Sequence, residues 1–471
     1  RSRLRNRPAH TEESDVSDRT TEKTGRAQAQ VFRRVNRDIL DTLRLPGAGW
    51  AIMMAVVLAV LAMGVIAEIH MLKTGIGVTG LEPPIMWAVL ITNFVFWVGI
   101  AHSGTLISAI LFLFRAQFRT AVYRVSETMT VFAVMTAGLF PLIHLGRVWY
   151  FYYLVPYPNE RFLWPNFRSP LVWDFFAIST YFTISSVFLY VGLIPDIAVA
   201  RDRARTRFRR RLYGTLSLGW QGTDSQWRHY NRAYLFLAGL ATPLVLSVHS
   251  VVSWDFAMAI VPGWHSTIFA PYFVAGAIFS GVAMVITLVL PLRKAFKLED
   301  YIDEYHLDRL AKLLLLTSSI VFYSYMVEIW TAWYSGSPYE RAVFWDRLFG
   351  QYAWAGWIMY TCNCFIPLSL WFKRVRTSWF WMFIVSIFVN IGMWFERFVI
   401  IVQSLAHEFE PFGWDYYKPT WVEMAITAGS FAWFLMWFLL FIKFLPSMAI
   451  AELKELLPPR LKRAKQELEE A

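Results

Sequence analysis

The chain has 471 residues, of which 56% are hydrophobic, 18% aromatic and 17% charged, and its formal net charge is +11. So few charges beside 23 Trp and 39 Phe exclude an ordinary soluble domain and point to an all-α integral membrane protein. The two cysteines, Cys362 and Cys364, are too few for a four-thiolate iron–sulfur site, and no C-x-x-C-H haem attachment occurs.

In chain order, the first 45 residues are polar and basic, lack the apolar core of a signal peptide, and read as a tail that is either disordered alone or ordered by a partner. A bilayer-spanning helix needs about 20 mostly apolar residues. Ten stretches qualify: Gly47–Ile69, Pro84–Phe114, Thr128–Tyr150, Pro170–Ile197, Tyr234–Ile260, Ser266–Pro291, Leu310–Tyr334, Ala353–Phe372, Ser378–Leu405 and Trp421–Leu445. The basic runs "FRAQFRTAVYR", "ARDRARTRFRRR", "LRKAFK" and "FKRVR" alternate with apolar stretches so that they and both tails fall on one side. By the excess of Lys and Arg on inner loops, both termini are cytoplasmic. The same asymmetry accounts for the net charge, so "RDRARTRFRRR" reads as an inner-loop topology signal and no nucleic-acid partner is expected.

The second to fifth and sixth to ninth helices read as two parallel copies of a four-helix unit. Trp-Asp recurs in "VWDFF" at Val172 and "FWDRL" at Phe344, and Ile-Pro at Ile194 and Ile366. His144 and Glu328 each precede a Trp-Tyr pair, His249 precedes Asp255 as Asn390 precedes Glu396, and Ser-Gly recurs at Ser103 and Ser280. The expected organisation is a tail (1–45), a first span (46–80), two four-helix bundles (81–262 and 263–408), and a tenth span with a cytoplasmic tail (409–471), the first and tenth helices being peripheral.

Ionisable residues inside spans are expensive and mark function by default. His144 and Arg147, three apart, share a face of the third helix, and Asp174 enters from the fourth at the same depth. Their alternatives are a functional cluster or an Arg147–Asp174 ion pair stapling the hairpin. Asp255 is level with Asp174, whereas His249 lies deeper, either in the site or bonded to a carbonyl freed by Pro243. Glu396 and Arg397 diverge by about 100° on their helix; with Glu396 turned into the second bundle, Arg397 is placed to offset Asp174 and Asp255. His102 either relays protons or bonds across helices. Glu328 and Glu396 either relay protons or hold neighbouring helices. Glu127, Asp196 and His306 read as solvated caps at inner helix ends. Tyr152, Tyr153 and Trp164 either line an entrance or belong to an interfacial belt, and Cys362 and Cys364 read as core. An apolar pocket with a histidine and a carboxylate at its ends suits a lipid-soluble quinol, which must shed protons to become a good reductant.

"GIAHSGTLISAILFLFR", "LIHLGRVWYFYYLVPYPNERFLWPNFRSPLVWDFFAISTYFTIS", "GWHSTIFAPYFVAGAIFSG" and "NIGMWFERFVIIVQSLAHEF" resemble the polysulfide-reductase membrane-subunit (NrfD-like) family. Within it the chain is similar to the quinol-oxidising subunits of alternative complex III, over roughly Asp38 to Leu456. The resemblance implies a quinol site (menaquinol or ubiquinol) near the outer face of the cytoplasmic membrane and reaches His144, Asp174, Asp255 and Arg397, with His144 and Asp174 catalytic; Arg147 and His249 join the expected quinol-binding set on the reading of the residues. The resemblance also implies a proton path through His102, Glu328 and Glu396, and no metal, haem or cluster in this chain. Its implied partners are an outer iron–sulfur subunit, a multihaem cytochrome c and a homologous membrane subunit. Alternatives are the membrane anchor of a polysulfide- or nitrite-type reductase, a haem b subunit, which requires paired histidines at matched depth, and a transporter, which a midplane site would favour.

Overall fold

The computed structural model describes residues 30–43, 47–156, 165–204 and 206–454. The expected tails therefore lie largely outside the described residues, as does Trp164. Among the described residues there is no strand, only an isolated bridge between Glu82 and Ile85. Nine helices among the described residues are long and apolar enough to cross a membrane. We number them with the helical segment that falls between the seventh and the last: α1 (Ala48–Thr74), α2 (Val89–Leu113), α3 (Tyr123–His144), α4 (Pro170–Asp202), α5 (Asp224–Ala257), α6 (Phe269–Ala295), α7 (Glu304–Ser335), α8 (353–371), α9 (Trp379–Ala406) and α10 (Trp421–Phe444). Segment α8 changes register along its length, from α-helix to a π-turn at Thr361–Phe365 and then to short α and 3-10 pieces. Chains built of such helices satisfy their backbone internally, which a bilayer requires. The protein is an integral membrane protein.

Local chemistry sets several helix ends away from their expected places. Helix α5 starts ten residues early because Thr223 and Gln226 form a reciprocal capping box. Helix α2 starts late, at Val89: Pro83 and Pro84 make a turn closed by the bridge between Glu82 and Ile85, and Trp87 follows in a loop. Helix α3 ends at His144, because Gly146 turns the chain at φ +66° and a 3-10 stretch, Val148–Leu154, follows.

The main helix pairings are α1 with α10, α2 with α3, α4 with α5, and α6 with α2, α5, α7 and α9. Helix α2 is buried on all sides, since apart from a few polar groups its sequence is apolar around its whole circumference. The repeated Ser-Gly pair explains its contact with α6. A Cβ on Gly281 would stand 1.9 Å from Ser103 Oγ, and one on Gly104 would stand 1.9 Å from Thr130 Oγ1 of α3. Small residues let the backbones approach where lipid supplies no hydrophobic drive.

Two short helices flank the spans, Arg207–Leu216 at the basic end and Pro338–Phe349 at the other. At the basic end the expected solvated caps take a different form. Glu127 and Asp196 are buried, and Arg124 bridges them at 3.0 and 3.1 Å. Tyr234 donates to Glu127 at 2.9 Å, and Asp196 accepts the Ile450 N–H at 3.1 Å. The basic run containing Arg124 is expected to be a loop; because α3 begins at Tyr123, the residue turns inward instead. His306 does cap, pairing with Asp303 at the start of α7, but it is buried and not solvated.

Candidate functional site

A cavity of about 420 Å³ opens near the non-basic end of α2–α5. Its walls are mostly apolar, and Phe151, Leu171 and Phe175 at its rim are also exposed, so it communicates with the surface of the helix array. Three ionisable side chains enter it. His144 comes from the last residue of α3, Asp174 from the first turns of α4, and Asp255 from the last turn of α5. Antiparallel packing of α4 on α3 and α5 brings these ends to one depth.

The Asp174 and Asp255 carboxyl groups lie within hydrogen-bonding reach of each other. No N–H of another described residue reaches Asp174, and His144 Nδ1 and Asp255 Oδ1 also lack a donor or acceptor partner. Buried polar atoms ordinarily have partners, so three such groups pointed into an apolar cavity mark a place for a ligand with polar ends. Such a site can bind a flat, mostly apolar molecule and take protons from its hydroxyls.

Sequence reasoning did not find Trp87. It lines the cavity from the loop before α2, packed at 6.1 Å from Phe256 and 5.8 Å from Trp264. A proline is tolerated in the first turn of a helix, so Pro83-Pro84 gave no signal that Trp87 falls in a loop and not in α2.

Four expected positions differ. Arg147 is exposed and does not line the cavity or pair with Asp174; the turn at Gly146 takes it off the α3 face on which three-residue spacing would have aligned it with His144. Arg397 does not offset Asp174 and Asp255. It is buried, pairs with its own neighbour Glu396 at 2.9 Å, and lies over the Phe273 ring at 4.4 Å. Two long side chains can converge although their Cα–Cβ bonds diverge. His249 does not line the cavity but sits deeper against His102, ring centroids 4.4 Å apart. The rings touch, so no haem plane fits between them as they stand. Asp346, matched to Asp174 by Trp-Asp, belongs to the short helix Pro338–Phe349, where it accepts the Gln351 N–H at 2.8 Å and meets His407 at 3.5 Å.

The remaining ionisable groups form a buried line away from the cavity. His102 stacks on Tyr181 at 4.9 Å and meets the Val98 carbonyl at 2.6 Å. Beyond His249 come Phe273, Arg397 and Glu396, then Tyr325, which donates to Glu396 and accepts from Asn363 at 2.8 Å. Glu328 lies 3.8 Å from Arg347, a buried arginine that also donates to Gln403 at 3.3 Å. Glu328 is about two turns from the end of α7 and Glu396 about three from the end of α9. Their sequence counterparts His144 and Asp255 are at helix ends, so the second set lies deeper. A second, more polar cavity of about 400 Å³ reaches Glu328 from the surface past Glu340, His265 and Ser335. Among the described residues no group of three or more His, Cys, Asp or Glu is placed to hold a metal ion.

Helices of this length with a rim-open apolar cavity and convergent acid–base groups define a multi-span membrane protein with a pocket near one end of its helices. The chain belongs to the family described as "Polysulphide reductase, NrfD", which matches residues 77–407. It is similar to a putative membrane subunit of a dimethyl sulfoxide reductase in Halobacterium salinarum, 28% identical over 254 residues, 54% of this chain and 53% of that one. It is also similar to an "Hdr-like menaquinol oxidoreductase integral membrane subunit" of Archaeoglobus fulgidus, 22% identical over 232 residues, 48% of this chain and 47% of that one. The chain spans about half the length of these curated relatives.

Proposed function

We propose that this chain is the quinol-oxidising membrane subunit of an oxidoreductase of the alternative complex III type, lying in the cytoplasmic membrane with both termini inside. The observation that carries the reading is the cavity of about 420 Å³ in which His144, Asp174 and Asp255 meet among apolar walls. Its volume falls in the usual range for pockets that take small organic ligands, about 300–1,000 Å³. A quinol head group would enter from the lipid past Phe151, Leu171 and Phe175. Asp174 takes the proton of one hydroxyl and His144 that of the other, while Asp255, whose carboxyl touches that of Asp174, can accept the first proton from it in turn. The quinol leaves as quinone, having given up two protons and two electrons. The electrons pass to an iron–sulfur subunit on the outer face and then to a multihaem cytochrome c.

In this reading α2–α5 form the quinol-binding bundle and α6–α9 its parallel copy, beside a homologous membrane subunit in the complex. The line from His102 through Glu396 to Glu328 serves as a proton route separate from the cavity. A second reading keeps the same pocket but gives the electrons to a terminal reductase subunit; the name of the Halobacterium salinarum relative favours it. Purification from the native membrane separates the two. Co-purifying iron–sulfur and multihaem subunits, with quinol-dependent cytochrome reduction, support the first. A terminal reductase subunit in their place supports the second, and no quinol-dependent electron transfer with either would reject both.

A further inference from the structure

The basic end of the molecule carries a cavity of about 520 Å³ that the quinol reading does not use. It lies between the helix over 30–41, the end of α4 and the short helix Arg207–Leu216. Arg37, Arg203 and Arg209 converge on it, opposed among its lining residues by a single acid, Asp41. Leu40, Leu43 and Ala200 supply apolar surface beside the arginines.

The short helix has three distinct faces. Arg209 and Tyr213 turn inward, donating to the backbone carbonyls of Leu43 and Phe444 at 2.8 Å each. Phe208 and Leu212, one turn apart, form an exposed apolar strip, Phe208 at 73% exposure. Arg207, Arg210 and Arg211 occupy the remaining, exposed arc. A helix with an exposed apolar strip and an arginine-rich face, fixed to the end of a membrane bundle, lies at the boundary between head groups and acyl chains. That puts the cavity at head-group depth.

We propose that this cavity binds the phosphate head group of an anionic phospholipid. Guanidinium groups match phosphate oxygens in pairs, and basic pockets between membrane helices select anionic lipids. The apolar surface of Leu40, Leu43 and Ala200 suits the adjoining acyl chains and distinguishes a lipid from a free phosphate ion. Arg37 also meets Asp38 at 3.6 Å, an exposed contact that competes weakly with a phosphate. The proposal does not depend on what the outer cavity binds.

The test uses the full chain in phosphatidylcholine nanodiscs doped with spin-labelled phosphatidylglycerol or spin-labelled phosphatidylcholine. The motionally restricted fraction gives the preference for the anionic lipid. Each arginine near an anionic head group is expected to contribute about fivefold to it. Arg37→Gln/Arg203→Gln/Arg209→Gln should abolish the preference, whereas Arg207→Gln/Arg210→Gln/Arg211→Gln, with the same charge change on the outward arc, should keep most of it. Because Arg209 also ties the helix to Leu43, Arg203→Gln alone is the second variant, with an expected loss of about fivefold. Equal loss in both triple variants, or no loss in Arg203→Gln, would overturn the proposal. So would inorganic phosphate stabilising the detergent-solubilised chain against heat as much as phosphatidylglycerol does, which would make the cavity a phosphate site.

Discussion

At Asp174 a single oxygen-for-nitrogen exchange separates the proposed chemistry from a structural role. Asp174→Asn keeps the shape of a side chain that no N–H of another described residue reaches, but removes a proton acceptor. Quinol-dependent reduction of an artificial acceptor should fall by about a hundredfold or more, the scale of a lost general base, with the protein inserted and assembled as before. A rate near wild type would remove Asp174 from the chemistry. Arg147→Ala, in contrast, should leave that rate unchanged, because its side chain is exposed and outside the cavity. Arg397→Leu belongs to stability. It leaves Glu396 buried without the cation 2.9 Å away, a change that costs about 3–5 kcal/mol in buried pairs. Thermal unfolding in detergent should show the loss, and the affinity of an inhibitor for the outer cavity should not move. Glu340, outside the spans, gives a pH signature. Burial pushes its carboxyl above its ordinary value of 4.5, against the opposing pull of the Gly263 N–H and Arg347. A value raised on folding means a contribution fully present below about pH 4.5 and lost as the pH climbs through the folded-state value. Glu340→Gln, which keeps an acceptor for Gly263, should flatten that decline in melting temperature.

Among the elements, the crossing of α2 and α6 is the least tolerant. Gly281→Val would place a Cβ 1.9 Å from Ser103 Oγ and 2.7 Å from the Ile100 carbonyl oxygen. Overpacking typically costs about 1–3 kcal/mol, and backbone on one side makes the upper end the expectation, read as a lower melting temperature. Gly77→Ala, with nothing within 4 Å of its Cβ, is the control. Helices α2, α8 and α9 each contain a π-turn, at Leu106–Ile110, Thr361–Phe365 and Val399–Gln403. The last two carry Asn363 and Gln403, which bond Tyr325 and Arg347 at 2.8 and 3.3 Å. An extra residue in one turn re-aims the side chains that follow, and π-turns concentrate at functional sites for that reason. Apolar periodicity carries no mark of such a turn, so neither residue could be placed from the sequence.

For the molecule as a whole, the proposed division of labour predicts one quinol per chain. The groups on α7 and α9 that repeat His144 and Asp255 lie deeper and are engaged with Arg347 and Arg397. Glu328→Gln should therefore spare the binding of a quinone-site inhibitor, with one equivalent bound per chain. Two equivalents, or weakened binding in that variant, would count against the reading. Much of the architecture was legible beforehand, because a bilayer imposes a length and an apolarity that each segment satisfies alone. Nine of the ten expected stretches correspond to single long helices among the described residues, and the other is the mixed segment α8. The meeting of His144, Asp174 and Asp255 was legible too, since all three sit near helix ends whose depth follows from counting residues. The partners of the buried arginines were not. Whether Arg147 faces a carboxylate depends on a glycine turn that stops a helix, and whether Arg397 reaches Glu396 or Asp174 depends on how α9 is rotated against α6. Composition thus determined a membrane-embedded helical array with acid–base groups near one face. Tertiary packing alone decided which charges meet, because helix rotation is set by side chains on neighbouring helices and not by the helix that carries the charge.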